Sequence, residues 1–239
     1  MYLQDMSAFL KQKSYPKFEL KAVFFDMDGV LFDSMPAHVE AWIKAFESIG
    51  LPFNANQGYM NEGRTGNGTI DGVFQSELGR TATEEEKQSI YHTKSLIFEQ
   101  LEGVRIMPFA KELLQKIKSQ GIHILLVTGS GQPSLLDKLE LSFPQIFERD
   151  RMVTAFDVEQ GKPHPEPYLM ALKKAHVKPW ESVVVENAPL GIASSVAAGI
   201  YTLAVNTGIL DDDVLLGEGA NAIFSGMAEL YQQWDNLFS

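Results

Sequence analysis

Two aspartates that follow a short apolar run are the first residues whose types and spacing could do chemistry. The segment VFFDMDGVLFDS spans residues 23–34, and its apolar start is typical of a strand buried on both faces of a parallel sheet. Asp26 and Asp28 would point to the same side of the extended chain, at the carboxyl end of that strand. Buried carboxylates are costly unless a cation or hydrogen-bond donors face them, so the segment predicts a ligand site.

Three later segments place polar groups at predicted strand ends or at loop-to-helix junctions: Thr128-Gly129-Ser130, Gly161-Lys162-Pro163 and Glu186-Asn187. Each has a plainer explanation, with Thr128 as a capping hydroxyl, Lys162 as a solvated charge and Glu186 as a carboxylate at a helix N-terminus. The carboxyl ends of parallel strands meet at one edge of a sheet. Together with the two aspartates, these groups therefore predict a site for phosphate and a divalent metal ion.

The rest of the pattern predicts an α/β fold: a Rossmann-like, doubly wound parallel sheet with a helical cap inserted after the first strand. Residues 35–103 have helical periodicity and helix stop signals throughout, and a Gly-rich stretch at 57–72 interrupts them. After Met107, helices and buried strands alternate, which favours parallel pairing with right-handed crossovers. We expect a catalytic core of residues 20–34 and 104–239 and a cap domain of residues 35–103. The N-terminal extension, residues 1–19, is expected to be a short peripheral helix or an extra translated arm.

Composition excludes several classes of function. The net charge of -11 and the pI near 4.9 disfavour binding to nucleic acid or to anionic membranes. The absence of cysteine excludes disulfides, thiolate catalysis and cysteine-bound zinc. No apolar run reaches the roughly 18 residues of a membrane span, and charges interrupt the first residues where a signal peptide would be apolar. A cytoplasmic protein is expected, and nothing in the sequence indicates a protein partner.

The four segments DMDG, VTGS, GKP and VVVEN, in this order, resemble the four motifs of the haloacid dehalogenase superfamily. Their spacing, the size of the helical insert and the sequence GKPHPEPYLMAL resemble its β-phosphoglucomutase-like subfamily. The resemblance covers about residues 22–234. It implies a mobile four-helix cap that closes over the site.

The resemblance also implies roles for individual residues. Asp26 would be the nucleophile that forms an aspartyl-phosphate, and Asp28 would be the general acid and base. Thr128 and Lys162 would hold the transferring phosphoryl group, with Gly129 and Ser130 beside them. The metal would be Mg²⁺, held by Asp26 and Asp28 with help from Glu186 and Asn187. Because a halide leaves without a proton, Asp28 favours phosphoryl transfer over dehalogenation.

One residue departs from the subfamily pattern, because Asn187 stands where a second acid is usual. An amide offers an oxygen but no charge, so the Mg²⁺ site lacks one negative ligand. We expect Glu62, in the Gly-rich cap loop, to replace it when the cap closes; the alternative is a solvated loop acid. A carboxylate so deep leaves little room for a large leaving group, so we expect inorganic pyrophosphate as substrate. The pairing of a cap Glu with a core Asn is similar to an inorganic pyrophosphatase known within the subfamily.

Three further cap residues are candidates for substrate binding. Arg64 and Lys94 could bind the leaving phosphate, although Lys94 could equally be a surface charge. His38 is either a packed helix residue or a hinge group near Asp28. The sequence leaves open a sugar-phosphate phosphatase, a β-phosphoglucomutase and a phosphate-binding protein without turnover. In every case the expected partner is a small phosphorylated molecule.

Overall fold

The structure is a computed structural model that describes residues 2–3, 6–101, 104–130, 133–147 and 149–238. Its strands are β1 (Tyr2–Leu3), β2 (Ala22–Phe25), β3 (Phe32–Asp33), β4 (Arg105–Ile106), β5 (His123–Val127), β6 (Met152–Val153), β7 (Ser182–Glu186), β8 (Tyr201–Val205) and β9 (Ala222–Phe224). Its α-helices are α1 (Met6–Lys13), α2 (Met35–Glu47), α3 (Ala55–Met60), α4 (Gly66–Leu78), α5 (Glu84–Gln100), α6 (Ala110–Ser119), α7 (Pro133–Ser142), α8 (Glu166–Ala175), α9 (Pro189–Ala197), α10 (Asp212–Gly217) and α11 (Met227–Gln233). Among the described helices, none has both the length and the apolar character needed to cross a membrane.

The main sheet has the strand order β1-β9-β8-β7-β2-β5-β6, and β2 lies at its centre between β5 and β7. Strands β2 and β5 to β9 run parallel, which confirms the predicted doubly wound sheet. Side chains of β2 alternate between the two faces of the sheet. Val23 and Phe25 join one apolar cluster, whereas Ala22 and Phe24 join another. Burial on both faces explains why these strands read as unbroken apolar runs.

The N-terminal extension differs from the expected peripheral helix. It adds β1 to the edge of the sheet as an antiparallel partner of β9, and α1 then packs onto the core. Phe9 of α1 is only 2% exposed, and its ring lies edge-on to Tyr201 with centroids 5.1 Å apart. The extension is therefore part of the folded core.

Helices α2 to α5 form a separate layer above the sheet with its own apolar cluster, which includes Phe46, Ile70 and Phe74. The two chain segments that join this layer to the sheet pair as an antiparallel ribbon, β3 with β4. Residues 102–103, at the predicted end of the cap, lie outside the described residues. The ribbon holds the layer over the carboxyl ends of the central strands.

Candidate active site

The central strands bring the candidate residues together. Asp26 directly follows β2, Thr128 directly follows β5, and Glu186 is the last residue of β7. The ladder continues one residue beyond the strands, because the Asp26 amide donates to the Val185 carbonyl at 3.1 Å. Since all three strands are parallel, their polar ends meet at one edge of the sheet, as the sequence predicted.

Lys162 lies at the centre of this group. Its ammonium donates to Asp26 Oδ1 at 2.5 Å, to Glu186 Oε1 at 2.6 Å and to the Val127 carbonyl at 2.9 Å. The side chain is only 1% exposed. Burial alone would lower the pKa of Lys162, but the two carboxylates outweigh it and raise that pKa. Burial raises the pKa of Asp26, and Lys162 opposes that rise. Removal of either partner would leave the other as an uncompensated buried charge, which would destabilise the fold.

Glu186 differs from its predicted role as a metal ligand. Its Oε1 accepts hydrogen bonds from Lys162 and from the Tyr168 hydroxyl at 2.8 Å. Its Oε2 accepts from the backbone amides of Asn187 at 3.0 Å and Ala188 at 3.2 Å. Both oxygens are thus occupied by protein donors, and Glu186 instead orients Lys162. Tyr168 was missed in the sequence, where its only signal is a hydroxyl-bearing ring on the buried face of α8.

Asp28 is held by Ser34 and His38, whereas Asp26 is held by the ammonium of Lys162. Ser34 Oγ donates to Asp28 Oδ1 at 2.6 Å, and His38 Nε2 lies 3.1 Å from the same oxygen. Burial would raise the pKa of Asp28, but His38 and Ser34 outweigh it and lower that pKa. His38 therefore contacts Asp28 directly, on the same oxygen as Ser34. This contact favours the interpretation of His38 as a hinge group near Asp28 over that of a packed helix residue.

His38 in turn connects Asp28 to the cap helix α5. Lys94 Nζ lies 2.7 Å from His38 Nδ1, and the imidazole stacks on Phe98 with centroids 4.3 Å apart. Burial, followed by the charge of Lys94, lowers the pKa of His38. A neutral imidazole that accepts at Nδ1 from Lys94 must carry its proton on Nε2, which then donates to Asp28. Lys94 is 3% exposed, so it is not a surface charge. Burial lowers its pKa to about 7.

Glu62 of the cap reaches into the core. Asn187 Nδ2 donates to Glu62 Oε1 at 2.6 Å, and the two residues are 6% and 5% exposed. Burial raises the pKa of Glu62 well above its usual range, and the hydrogen bond from Asn187 only partly opposes this rise. Gly29 makes room for the contact, because a Cβ there would lie 2.0 Å from Asn187 Nδ2.

The contact between Glu62 and Asn187 leaves one oxygen without a hydrogen-bond partner, and this oxygen could bind a cation. Asn187 Oδ1 is buried without a hydrogen-bond partner, and an unpaired buried carbonyl oxygen is an oxygen ligand of the kind that Mg²⁺ binds. Within the described residues, no three His, Asp or Glu side chains stand in metal-binding geometry by themselves. A metal here would therefore need the amide oxygen and the substrate in addition to carboxylates.

Arg64 and Glu62 both line a cavity at the site, and Arg64 Nε is buried without a hydrogen-bond partner. Burial lowers the pKa of its guanidinium. The cavity has a volume of about 70 Å³, and Gly129, Ser130 and the predicted catalytic groups Asp26, Asp28 and Thr128 also line it. Thr128 Oγ1 accepts the Ser130 amide at 3.0 Å, which fixes the loop. The arrangement provides a nucleophilic carboxylate and several cationic or amide donors around a space for a small anion.

Comparisons with known proteins identify the family of the chain. A family model of the haloacid dehalogenase-like hydrolases matches residues 20–199. The chain is 31% identical over 206 residues to the phosphorylated carbohydrates phosphatase of Thermotoga maritima, covering 85% of this chain and 94% of the relative. It is 26% identical over 223 residues to the β-phosphoglucomutase of Bacillus subtilis, covering 90% and 97%. A solved structure of a putative β-phosphoglucomutase from Bacteroides vulgatus superposes with a TM-score of 0.94 at 52% identity, covering 97% of this chain and 94% of that one.

The chain belongs to the haloacid dehalogenase superfamily and, within it, to the β-phosphoglucomutase-like subfamily. It is a phosphohydrolase-type member, as the four motifs predicted.

Proposed function

We propose that this protein is a Mg²⁺-dependent phosphohydrolase that works through an aspartyl-phosphate at Asp26 and that its substrate is inorganic pyrophosphate. The contact between Glu62 of the cap and Asn187 of the core is the observation that carries the choice of substrate. It brings the carboxylate of Glu62 next to Asn187, the core position that has an amide where a second acid is usual.

In the first step, a carboxylate oxygen of Asp26 attacks one phosphorus of pyrophosphate. The new bond joins that oxygen to phosphorus, and the bond from phosphorus to the bridging oxygen breaks. Inorganic phosphate leaves with a proton from Asp28, which must be protonated in the substrate complex although its pKa is lowered in the free protein. Lys162 and the Thr128–Ser130 loop balance the charge on the equatorial oxygens, and Glu186 holds Lys162 in place. Arg64, on the cap side of the cavity, suits the leaving phosphate.

In the second step, Asp28 removes a proton from water, whose oxygen attacks the same phosphorus. The bond from Asp26 to phosphorus breaks, which releases the second phosphate and restores the carboxylate. Ser34 and His38 fix the orientation of Asp28 for both proton transfers.

The residues that would hold Mg²⁺ are Asp26, Asp28, Glu62 and Asn187, the last through its unpaired Oδ1. When bound, the ion would neutralise charge on the phosphoryl oxygens and on the surrounding carboxylates. Burial and the neighbouring acids raise the pKa of Glu62, and a bound cation would offset both effects.

The small cavity supports a small substrate. Its volume of about 70 Å³ is well below the roughly 300 Å³ at which pockets for drug-sized ligands begin. A hexose phosphate would need the cap to stay further open, which would separate Glu62 from Asn187. Pyrophosphate is the smallest phosphoanhydride that offers both a phosphoryl group and a phosphate leaving group.

The second candidate is a sugar-phosphate phosphatase or a β-phosphoglucomutase. The names of the two relatives reported above favour this second candidate, because both describe enzymes of phosphorylated carbohydrates. In that case Arg64 and Lys94 would serve the distal part of the substrate. A phosphate-binding protein without turnover is disfavoured by the complete set of Asp26, Asp28, Thr128 and Lys162.

The test is steady-state phosphate release from pyrophosphate, several hexose phosphates and short-chain phosphate esters, all with Mg²⁺. We expect kcat/KM to be highest for pyrophosphate. A higher value for any sugar phosphate would establish the second candidate instead, and binding of phosphate without any hydrolysis would establish the third.

A further inference from the structure

The cap touches the core at two glycines. A Cβ built on Gly129 would lie 2.2 Å from the carbonyl oxygen of Gly63, and one built on Gly161 would lie 2.6 Å from Thr65 Cγ2. Both glycines belong to the core, beside Thr128 and Lys162, whereas both contacted residues belong to the cap. The contacted residues lie in the 62–65 segment, which also carries Glu62 and Arg64.

Neither core glycine is required by its own backbone. Gly129 and Gly161 do not have the positive φ that side chains avoid, whereas Gly29 and Gly63 do, with φ of 78° and 82°. An alanine would therefore fit either core position if the cap were further away. The need for glycine comes only from the closeness of the 62–65 segment.

The contacted atoms cannot easily move aside. The Gly63 oxygen is backbone, and Thr65 is held because its Oγ1 accepts the Gly68 amide at 3.3 Å as the N-cap of α4. An ordinary contact distance is about 1 Å longer than the one that an alanine at position 129 would impose. The alanine would thus shift the whole segment, including Glu62.

The buried site makes such a shift consequential. Asp26 is 2% exposed and Glu62 is 5% exposed, so a substrate can reach Asp26 only when the cap separates from the core. The cap must then return to this distance for Glu62 to meet Asn187.

We propose that Gly129 and Gly161 set the depth of cap closure and thereby restrict the closed site to small substrates. The part about substrate size rests on the proposed function, whereas the part about closure depth does not. Gly129→Ala and Gly161→Ala should hold the cap short of its closed position without disturbing the fold of either domain.

The first measurement is amide hydrogen exchange of a peptide that covers residues 58–66, with no substrate present. We expect about tenfold faster exchange in both variants than in the wild type, because the closed state is disfavoured. Gly72→Ala in the cap and Gly217→Ala in the core are matched controls, since a Cβ at either position meets nothing within 4 Å. Neither control should change the exchange of this peptide.

The second measurement combines each variant with Glu62→Gln and follows hydrolysis of the best substrate of the panel. A misplacement of about 1 Å predicts about 100-fold lower kcat/KM for Gly129→Ala, with a smaller loss for Gly161→Ala. Because Glu62 is already displaced in those variants, adding Glu62→Gln should cost much less than it does in the wild type. Pyrophosphate should also lose more kcat/KM than a hexose phosphate.

The outcomes separate the two proposals. Unchanged exchange in both glycine variants, or equal cost of Glu62→Gln in every background, would overturn the role of the glycines. Faster exchange together with a best substrate other than pyrophosphate would support the closure role and reject the proposed substrate.

Discussion

Replacement of Lys162 by methionine should destabilise the protein more than any comparable change at an exposed lysine. The ammonium lies 2.5 Å from Asp26 and 2.6 Å from Glu186, and the three side chains are at most 3% exposed. Methionine is of similar length and can still lie over the ring of Tyr168, whose centroid is 5.3 Å from Lys162 Nζ. The change therefore removes the cation but leaves two buried carboxylates without it.

Breaking a buried pair in this way costs about 3–5 kcal/mol of unfolding free energy. The control is Lys21→Met, because Lys21 also lies 2.5 Å from a carboxylate, that of Glu181, but its side chain is 43% exposed. An exposed pair contributes only about 0–1 kcal/mol. Two ion pairs of the same length should thus differ severalfold in their effect on stability.

The loss should also depend on pH, with a sign that follows from Asp26. Burial already raises the pKa of Asp26 in the wild type, and without Lys162 that pKa rises further, because no cation opposes the effect of burial. A raised carboxyl pKa lowers stability as pH rises and restores it as pH falls. The loss caused by Lys162→Met should therefore be larger at about pH 9 than at about pH 6, on either side of the raised wild-type pKa.

Urea unfolding of the wild type and both variants, followed by circular dichroism at the two pH values, gives these free energies. A loss below about 1 kcal/mol for Lys162→Met, or one that grows as pH falls, would refute the account of the buried pair.

Three further predictions concern the cap, the extension and the metal. The pKa of Lys94 is lowered to about 7, so folding releases its proton above that pH. The free energy of unfolding of the wild type should therefore rise by up to about 1.4 kcal/mol per pH unit between about pH 7 and pH 10. Lys94→Met should remove this rise in urea unfolding, and an unchanged dependence on pH would contradict the lowered pKa of Lys94. Phe9→Ala should cost about 3–5 kcal/mol, because the ring is buried against Tyr201; a cost near zero would mean that the extension is not part of the core. Mg²⁺ should raise the thermal midpoint of the wild type and of the exposed control Glu77→Gln, but raise that of Glu62→Gln much less; equal shifts would return Glu62 to a role without metal.

The architecture was predictable where burial on both faces leaves an unbroken apolar run. Strands β2, β5, β7 and β8 have this character, so their order along the chain and their polar ends were visible in the sequence. Strand β1 was not, because two residues carry no periodicity and their pairing with β9 depends on the position of the sheet edge. Phe9 gave no signal either, since a single apolar residue on a short helix is compatible with an exposed arm.

The types of residue at the site were predictable, but not all of their partners. The position of Glu186 at a strand end suggested a metal ligand, whereas its oxygens face Lys162, Tyr168 and backbone amides. Such a choice depends on distances between distant segments, which spacing along the chain does not determine. The charge argument at Asn187 pointed to Glu62, and the two side chains are in contact in the structure. The role of Glu62 as a metal ligand stays a prediction.

The contacts between cap and core were beyond the reach of the sequence. Gly129 follows a strand and Gly161 precedes a lysine, and both positions are common places for glycine in loops. Only the structure with the cap closed shows that the space a side chain would take at these positions is filled by a backbone carbonyl and a methyl group of the cap.

The central claim is that Asp26 accepts a phosphoryl group from pyrophosphate, and rapid quenching tests it most directly. Radiolabelled pyrophosphate is mixed with excess enzyme and Mg²⁺, quenched in acid within a single turnover, and the protein is digested to find the label. We expect a transient, hydroxylamine-sensitive label on the peptide that contains Asp26, and neither label nor turnover in Asp26→Asn. Full phosphate release with no labelled protein at any time, or turnover retained by Asp26→Asn, would contradict it.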